Sequence, residues 1–172
     1  LAVVVIDLRQ PRNLLREVRF RRLPDWHRDF TADGGLEITD AAIIWRPPEE
    51  GGRLRLVANI DHRRGRGGYD SRITGDWAIF RGDDLVPPAA VRTLKGARAQ
   101  ARLQVDAPEG WSVVTPFPQD EEGWYQIDDP ERNFDRPVGW MAAGRLGVRR
   151  DTAAGVKLAI AAPAGQGVRR MD

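Results

Sequence analysis

The sequence predicts an all-β fold, a β-sandwich or open-barrel-like domain of many short, mostly antiparallel strands. Three observations predict it. Apolar residues alternate with polar ones at period two in several separate stretches. The 18 Gly and 12 Pro fall between those stretches as turn signals. No segment leaves room for a long, capped amphipathic helix.

The first strand candidate is residues 1–8, a run of LAVVVIDL. Val18 and Phe20 then alternate with Glu17, Arg19 and Arg21, giving one buried and one solvated face. Residues 41–45 form a short apolar run ending at Trp45. In residues 53–60, Leu54, Leu56, Ala58 and Ile60 oppose Arg53, Arg55 and Asn59. Residues 77–81 follow, and in residues 99–106 Ala99, Ala101, Leu103 and Val105 share a face. Residues 111–115, 123–127 and 138–143 are further candidates. In the last, residues 155–161, Val156, Leu158 and Ile160 are expected on one buried face. The separators include Pro47 and Pro48, Gly51 and Gly52, Gly67 and Gly68, Pro87 and Pro88, and the 116–118 turn. One domain over residues 1–172 is expected, with a weak subdivision near 116–122. The chain opens on a strand-type run without Met and closes abruptly, which is expected of a domain cut from a longer protein.

Composition narrows the function classes. The 41% apolar and 30% charged residues are those of an ordinary globular protein. The formal net charge is +2, and all 27 basic residues except Lys95 and Lys157 are Arg. A nucleic-acid partner is not expected, because such proteins concentrate more charge on one face. The basic stretch HRRGRGG at residues 62–68 is expected to be a solvated hairpin loop, since no aromatics interleave its arginines. No apolar run reaches the roughly 18 residues of a membrane-spanning helix.

Catalytic chemistry finds few candidates. The absence of cysteine excludes thiolate metal sites and Cys nucleophiles. His27 and His62 stand far apart in sequence with no HExxH, so no metal or cofactor is expected in this chain. Ser71 and Ser112 are the only serines, and neither sits in a G-x-S-x-G elbow. The carboxylate pairs Asp83–Asp84, Glu121–Glu122 and Asp128–Asp129 are expected to be solvated turns. No catalytic residue is assigned.

Six tryptophans are many for this length. Trp45, Trp77 and Trp111 lie within or at the start of apolar runs and are expected in the core. Trp26, Trp124 and Trp140 flank Pro, Gly or charged residues. With Arg72 they are the candidates for an interface or a substrate-facing surface. Arg72 has a competing structural reading, pairing with Asp70 or Asp76.

Four blocks carry a resemblance. Leu23-Pro24-Asp25-Trp26 with Asp29-Phe30, then Tyr69-Asp70-Ser71-Arg72-Ile73-Thr74-Gly75-Asp76-Trp77, then Pro108-Glu109-Gly110-Trp111, then Asp128-Asp129-Pro130 with Gly139 follow one another in order. Together they resemble segments of the PDZ-linked glycyl aminopeptidase-like metallopeptidases, a gluzincin family. The stretch 33–45 is shorter than that family's usual strand-loop-strand. The resemblance implies a non-catalytic N-terminal β domain that packs on a downstream catalytic domain of the same polypeptide and shapes its cleft. It places zinc and the peptide substrate with that downstream domain, in a periplasmic or secreted aminopeptidase. None of the family's catalytic or zinc residues falls on this chain. A free-standing sandwich module that binds carbohydrate or peptide is the alternative, and a hydrolase with an unrecognised site is the third reading. Exposed aromatics on one face would mark the binder, an uncovered apolar patch the accessory domain, and a pocket with perturbed titratable groups the enzyme.

Overall fold

A computed structural model of the chain describes residues 1–63, 69–127 and 134–164, with the side chains of 63, 69 and 70 left aside. The HRRGRGG loop beyond Arg63 and the Asp128-Asp129-Pro130 block fall outside the described residues. The fold is all-β, sandwich-like and built of several antiparallel sheets without a closed barrel. Its described helical content is a single 3₁₀ turn at Gly82–Asp84.

Three sheets build the core. In the first, β1 (Ala2–Arg9) pairs with β6 (Gly51–Ala58), which pairs with β3 (His27–Ala32). In the second the order is β10 (Ala89–Thr93), β2 (Leu15–Arg21), β5 (Ala42–Arg46) and β4 (Gly35–Ile38). The third has five strands: β12 (Ser112–Val114), β14 (Trp140–Gly144), β9 (Trp77–Arg81), β8 (Tyr69–Ile73) and β7 (His62–Arg63). Two smaller pairs complete the described strands. They are β11 (Ala101–Leu103) with β13 (Tyr125–Ile127), and the hairpin of β15 (Leu146–Ala153) and β16 (Val156–Pro163).

The alternation in the sequence sets which side chains meet. Val18 and Phe20 of β2, Ile43 and Trp45 of β5, Leu54, Leu56 and Ala58 of β6, and Ala78, Phe80 and Met141 of the five-stranded sheet form one buried cluster. β1 joins it through Val4 and Ile6, which lie opposite Leu56 and Leu54. Trp45 is fully buried, and its indole N–H donates to the Asp33 carbonyl oxygen at 2.8 Å, so the ring keeps a partner inside the core.

Several expectations are corrected. β3, β4, β7, β8, β10 and β15 are additional strands. In β3 the alternation is broken by a bulge between Arg28 and Thr31, with Asp29 at φ +56°. β4 is only four residues long, and β10 follows directly on Pro87 and Pro88. The 99–106 pattern yields only the three residues of β11. The turn expected at 116–122 is present and is tied to β13 through the Gln126 amide on the Pro118 carbonyl and the Asp120 amide on the Trp124 carbonyl. Trp77 is half-buried outside the core cluster, because Ala78 and Phe80 take the inward positions of β9. Trp111 packs half-buried against the cluster. The face carrying Val156, Leu158 and Ile160 is exposed rather than buried.

Candidate functional site

The outer face of the five-stranded sheet gathers side chains that the sequence scatters. Directly opposed residues of antiparallel strands share a face. Arg72 of β8 lies opposite Ile79 of β9, Ile79 opposite Ala142 of β14, and Ala142 opposite Val114 of β12. That row crosses four strands. On one side of it Arg81 opposes Trp140, and on the other Trp77 opposes Gly144. Trp140 is 54% exposed and Ile79 42% exposed. Arg72 is exposed as well. The result is an open face of two indoles and three aliphatic side chains with a guanidinium at either flank.

Local backbone features fix this face. Gly144 has φ +153°, and a Cβ there would stand 2.6 Å from the Asp76 carbonyl oxygen and from Cα and Cβ of Trp77. Glycine therefore lets β14 run close under Trp77. At the other end Asp83 anchors Trp140. One Asp83 carboxylate oxygen accepts the Gly139 amide at 3.0 Å and the Arg81 guanidinium at 3.3 Å. The Arg136 guanidinium lies 3.7 Å from the other and donates to the Asp83 and Val86 carbonyls. Burial pushes the Asp83 carboxyl up, but the Gly139 hydrogen bond and the Arg81 and Arg136 charges outweigh it and hold the group below its ordinary 3.8.

A second polar cluster lies inside. His27 and Asp84 are buried, and His27 Nε2 hydrogen-bonds the Asp84 carbonyl oxygen at 2.8 Å. His62, also buried, places Nε2 3.3 Å from an Asp84 carboxylate oxygen. Its ring stacks on Trp26 at 4.3 Å between centroids. Burial lowers the His27 pKa below 6.5; the Asp84 hydrogen bond and charge oppose this, while His62 and Arg136 add to it. Ser71 lies opposite His62 in the ladder and is buried. Serine, histidine and aspartate thus occur together, but a nucleophile must reach its substrate and this serine is sealed inside. Among the described residues no group of three His, Asp or Glu could hold a metal ion.

Arg72 and Trp140, both singled out in the sequence, stand on the outer face. Trp26 and Trp124 do not. Trp26 precedes β3 and stacks on His62, and Trp124 precedes β13 with the Arg102 guanidinium 4.2 Å from its ring centroid. Asp83 and Asp84 are not solvated: the pair is an anchor and a buried acceptor, whereas Glu121 and Glu122 are exposed. Sequence reasoning missed Ile79 and Arg81. Their period-two spacing with Trp77 was the available signal.

The fold has a solved counterpart. An aminopeptidase N family protein from Idiomarina loihiensis aligns with 92% of this chain at a TM-score of 0.61 and 14% identity. The chain spans 29% of that protein's length. Neither a family profile nor a curated protein matches the sequence. The relation is therefore one of fold, to a part of a larger aminopeptidase-related protein. No helix among the described residues is long and apolar enough to cross a membrane.

Proposed function

We propose that this chain is a non-catalytic N-terminal accessory domain of a zinc metallopeptidase resembling glycyl aminopeptidases. Its outer sheet face packs on the downstream catalytic domain and shapes the cleft that receives the peptide. The observation that carries this reading is the fold shared over 92% of this chain with under a third of an aminopeptidase N family protein. The face carrying exposed Trp140 and Ile79, with half-buried Val114 in the same ladder, supports it, because open apolar surface marks an interaction site. In this reading zinc would belong to the downstream domain, where it would lower the pKa of a bound water enough to supply a nucleophile at neutral pH. The parent protein is periplasmic or secreted in this reading.

The test is hydrolysis of N-terminal Gly or Ala peptides with added zinc. The 172-residue chain is expected to give no turnover above buffer. The longer polypeptide of the same open reading frame is expected to give turnover abolished by chelator. Zinc-dependent hydrolysis by the 172-residue chain itself would overturn the proposal. A second reading, a free-standing binding module, draws on Trp140 and Trp77 sharing one open face with Arg72. Saturable quenching of tryptophan fluorescence by an oligosaccharide or peptide, lost in Trp140→Ala, would favour it.

A further inference from the structure

The β15–β16 hairpin is long and bare. Eight cross-strand pairs run from Leu146–Pro163 to Ala153–Val156. From residue 149 to residue 161 every side chain is exposed. Val156, Leu158 and Ile160 occupy one face, 59%, 45% and 42% exposed, opposite Ala153, Asp151 and Arg149. The other three large sheets bury such a stripe. A two-stranded hairpin is marginal in water without a packing partner. Its base is nonetheless fixed: the Arg145 amide donates to the Asp76 carbonyl at 2.9 Å, and the Ala164 amide to the Arg145 carbonyl at 2.7 Å. Asp76 immediately precedes β9, so the base of the hairpin is tied beside the start of that strand.

We propose that this hairpin is a docking arm whose Val156, Leu158 and Ile160 face is covered by a second folded domain of the same polypeptide. The inference rests on the reading of the chain as one domain of a larger protein. Two observations select this occupant. The alignment leaves 71% of the Idiomarina loihiensis protein outside this fold, so a fold of this architecture occurs as part of a much longer chain. The area argues against a second copy. With strands rising about 3.4 Å per residue and about 4.8 Å apart, one hairpin face covers roughly 270 Å². Free copies need about 800 Å² each for a stable interface. A domain on the same chain is present at an effective concentration in the millimolar range and holds on far less.

Hydrogen exchange tests this. The hydrogen-bonded amides of β15 and β16 are expected to exchange with protection below about tenfold in the 172-residue chain and at least about 100-fold more slowly in the longer polypeptide. Leu158→Asp in the longer polypeptide is expected to return them to fast exchange while the amides of β6 stay protected. Equal exchange in both lengths would overturn the proposal. Protection that rises with concentration of the 172-residue chain would also overturn it, in favour of a second copy. Peptide hydrolysis measured on the same longer polypeptide separates the two ideas. A protected hairpin without zinc-dependent turnover keeps the docking arm and removes the aminopeptidase reading.

Discussion

Trp45 and Trp140 mark the two extremes of tryptophan environment in this chain. Trp45→Ala removes a fully buried ring and its hydrogen bond to Asp33, and is expected to cost about 3–5 kcal/mol. Trp140→Ala, on an exposed face, is expected to change stability by no more than about 0.5 kcal/mol. Urea midpoints of the two variants check this, and equal shifts would contradict the core assignment. His27 gives a pH dependence. Its folded pKa lies below 6.5, so the unfolded chain binds the proton more readily. The contribution is fully present above about pH 6.5 and declines as pH falls through that value toward the folded one. His62 and Asp84 are the titratable groups beside it. The urea midpoint is expected to fall between pH 7.5 and 5.5, and to fall less in His27→Gln. A pH response identical in the two proteins would remove His27 from the account. Of these residues, the sequence marked Trp45 for the core, because an aromatic inside an unbroken apolar run has few other places to go, and Trp140 for the surface, because it follows closely on Pro and Gly. The burial of His27 and Asp84 was not legible: only the tertiary approach of the 3₁₀ turn to β3 makes them partners.

Among the elements, β2 and β6 were the most legible, since alternation of Arg with Val, Leu or Phe over residues 18–21 and 53–56 leaves one choice of inward face. β3 and β10 were hidden, one by a bulge that shifts the alternation and the other by the two prolines before it. The grouping of Arg72, Ile79, Ala142 and Val114 was hidden for another reason: register between strands distant in sequence is set by packing, not by local pattern. β16 shows the converse limit, because alternation defined its apolar face but not what covers it. Two substitutions test element geometry. Gly144→Ala forces a Cβ into the Trp77 backbone at an unfavourable φ and is expected to destabilise by about 2 kcal/mol or more. A neutral thermal shift would contradict that. The hairpin turn carries Ala154 and Gly155, both with positive φ, as a two-residue primed turn requires. Asn tolerates that region better than Ala, so Ala154→Asn is expected to stabilise the hairpin by about 0.5–1 kcal/mol. Slower exchange of its amides, with the rest of the chain unchanged, is the measurement.

At the scale of the whole molecule, one core is shared by the inner faces of three sheets, while two surfaces remain open: the outer face around Trp140 and the β15–β16 hairpin. The all-β architecture predicts a far-ultraviolet circular dichroism spectrum without helical minima, and a helix-dominated spectrum would refute it. Function belongs to this scale as well. In the proposed reading the chain is defined by the domain it is joined to, and the open apolar surfaces around Trp140 and Val156 are where that domain would meet it.

The ladder register also has a consequence in time. β2 pairs with β10, and β9 with β14, across long intervening stretches of chain. Such closures must precede any gain from the contacts they make, and domains dominated by them fold in milliseconds to seconds. The β15–β16 hairpin closes through a two-residue turn and is expected to form within about 1–10 microseconds. Its apolar face then forms transiently before the three-sheet core has assembled, and it is among the first surfaces a chaperone or neighbouring chain would meet.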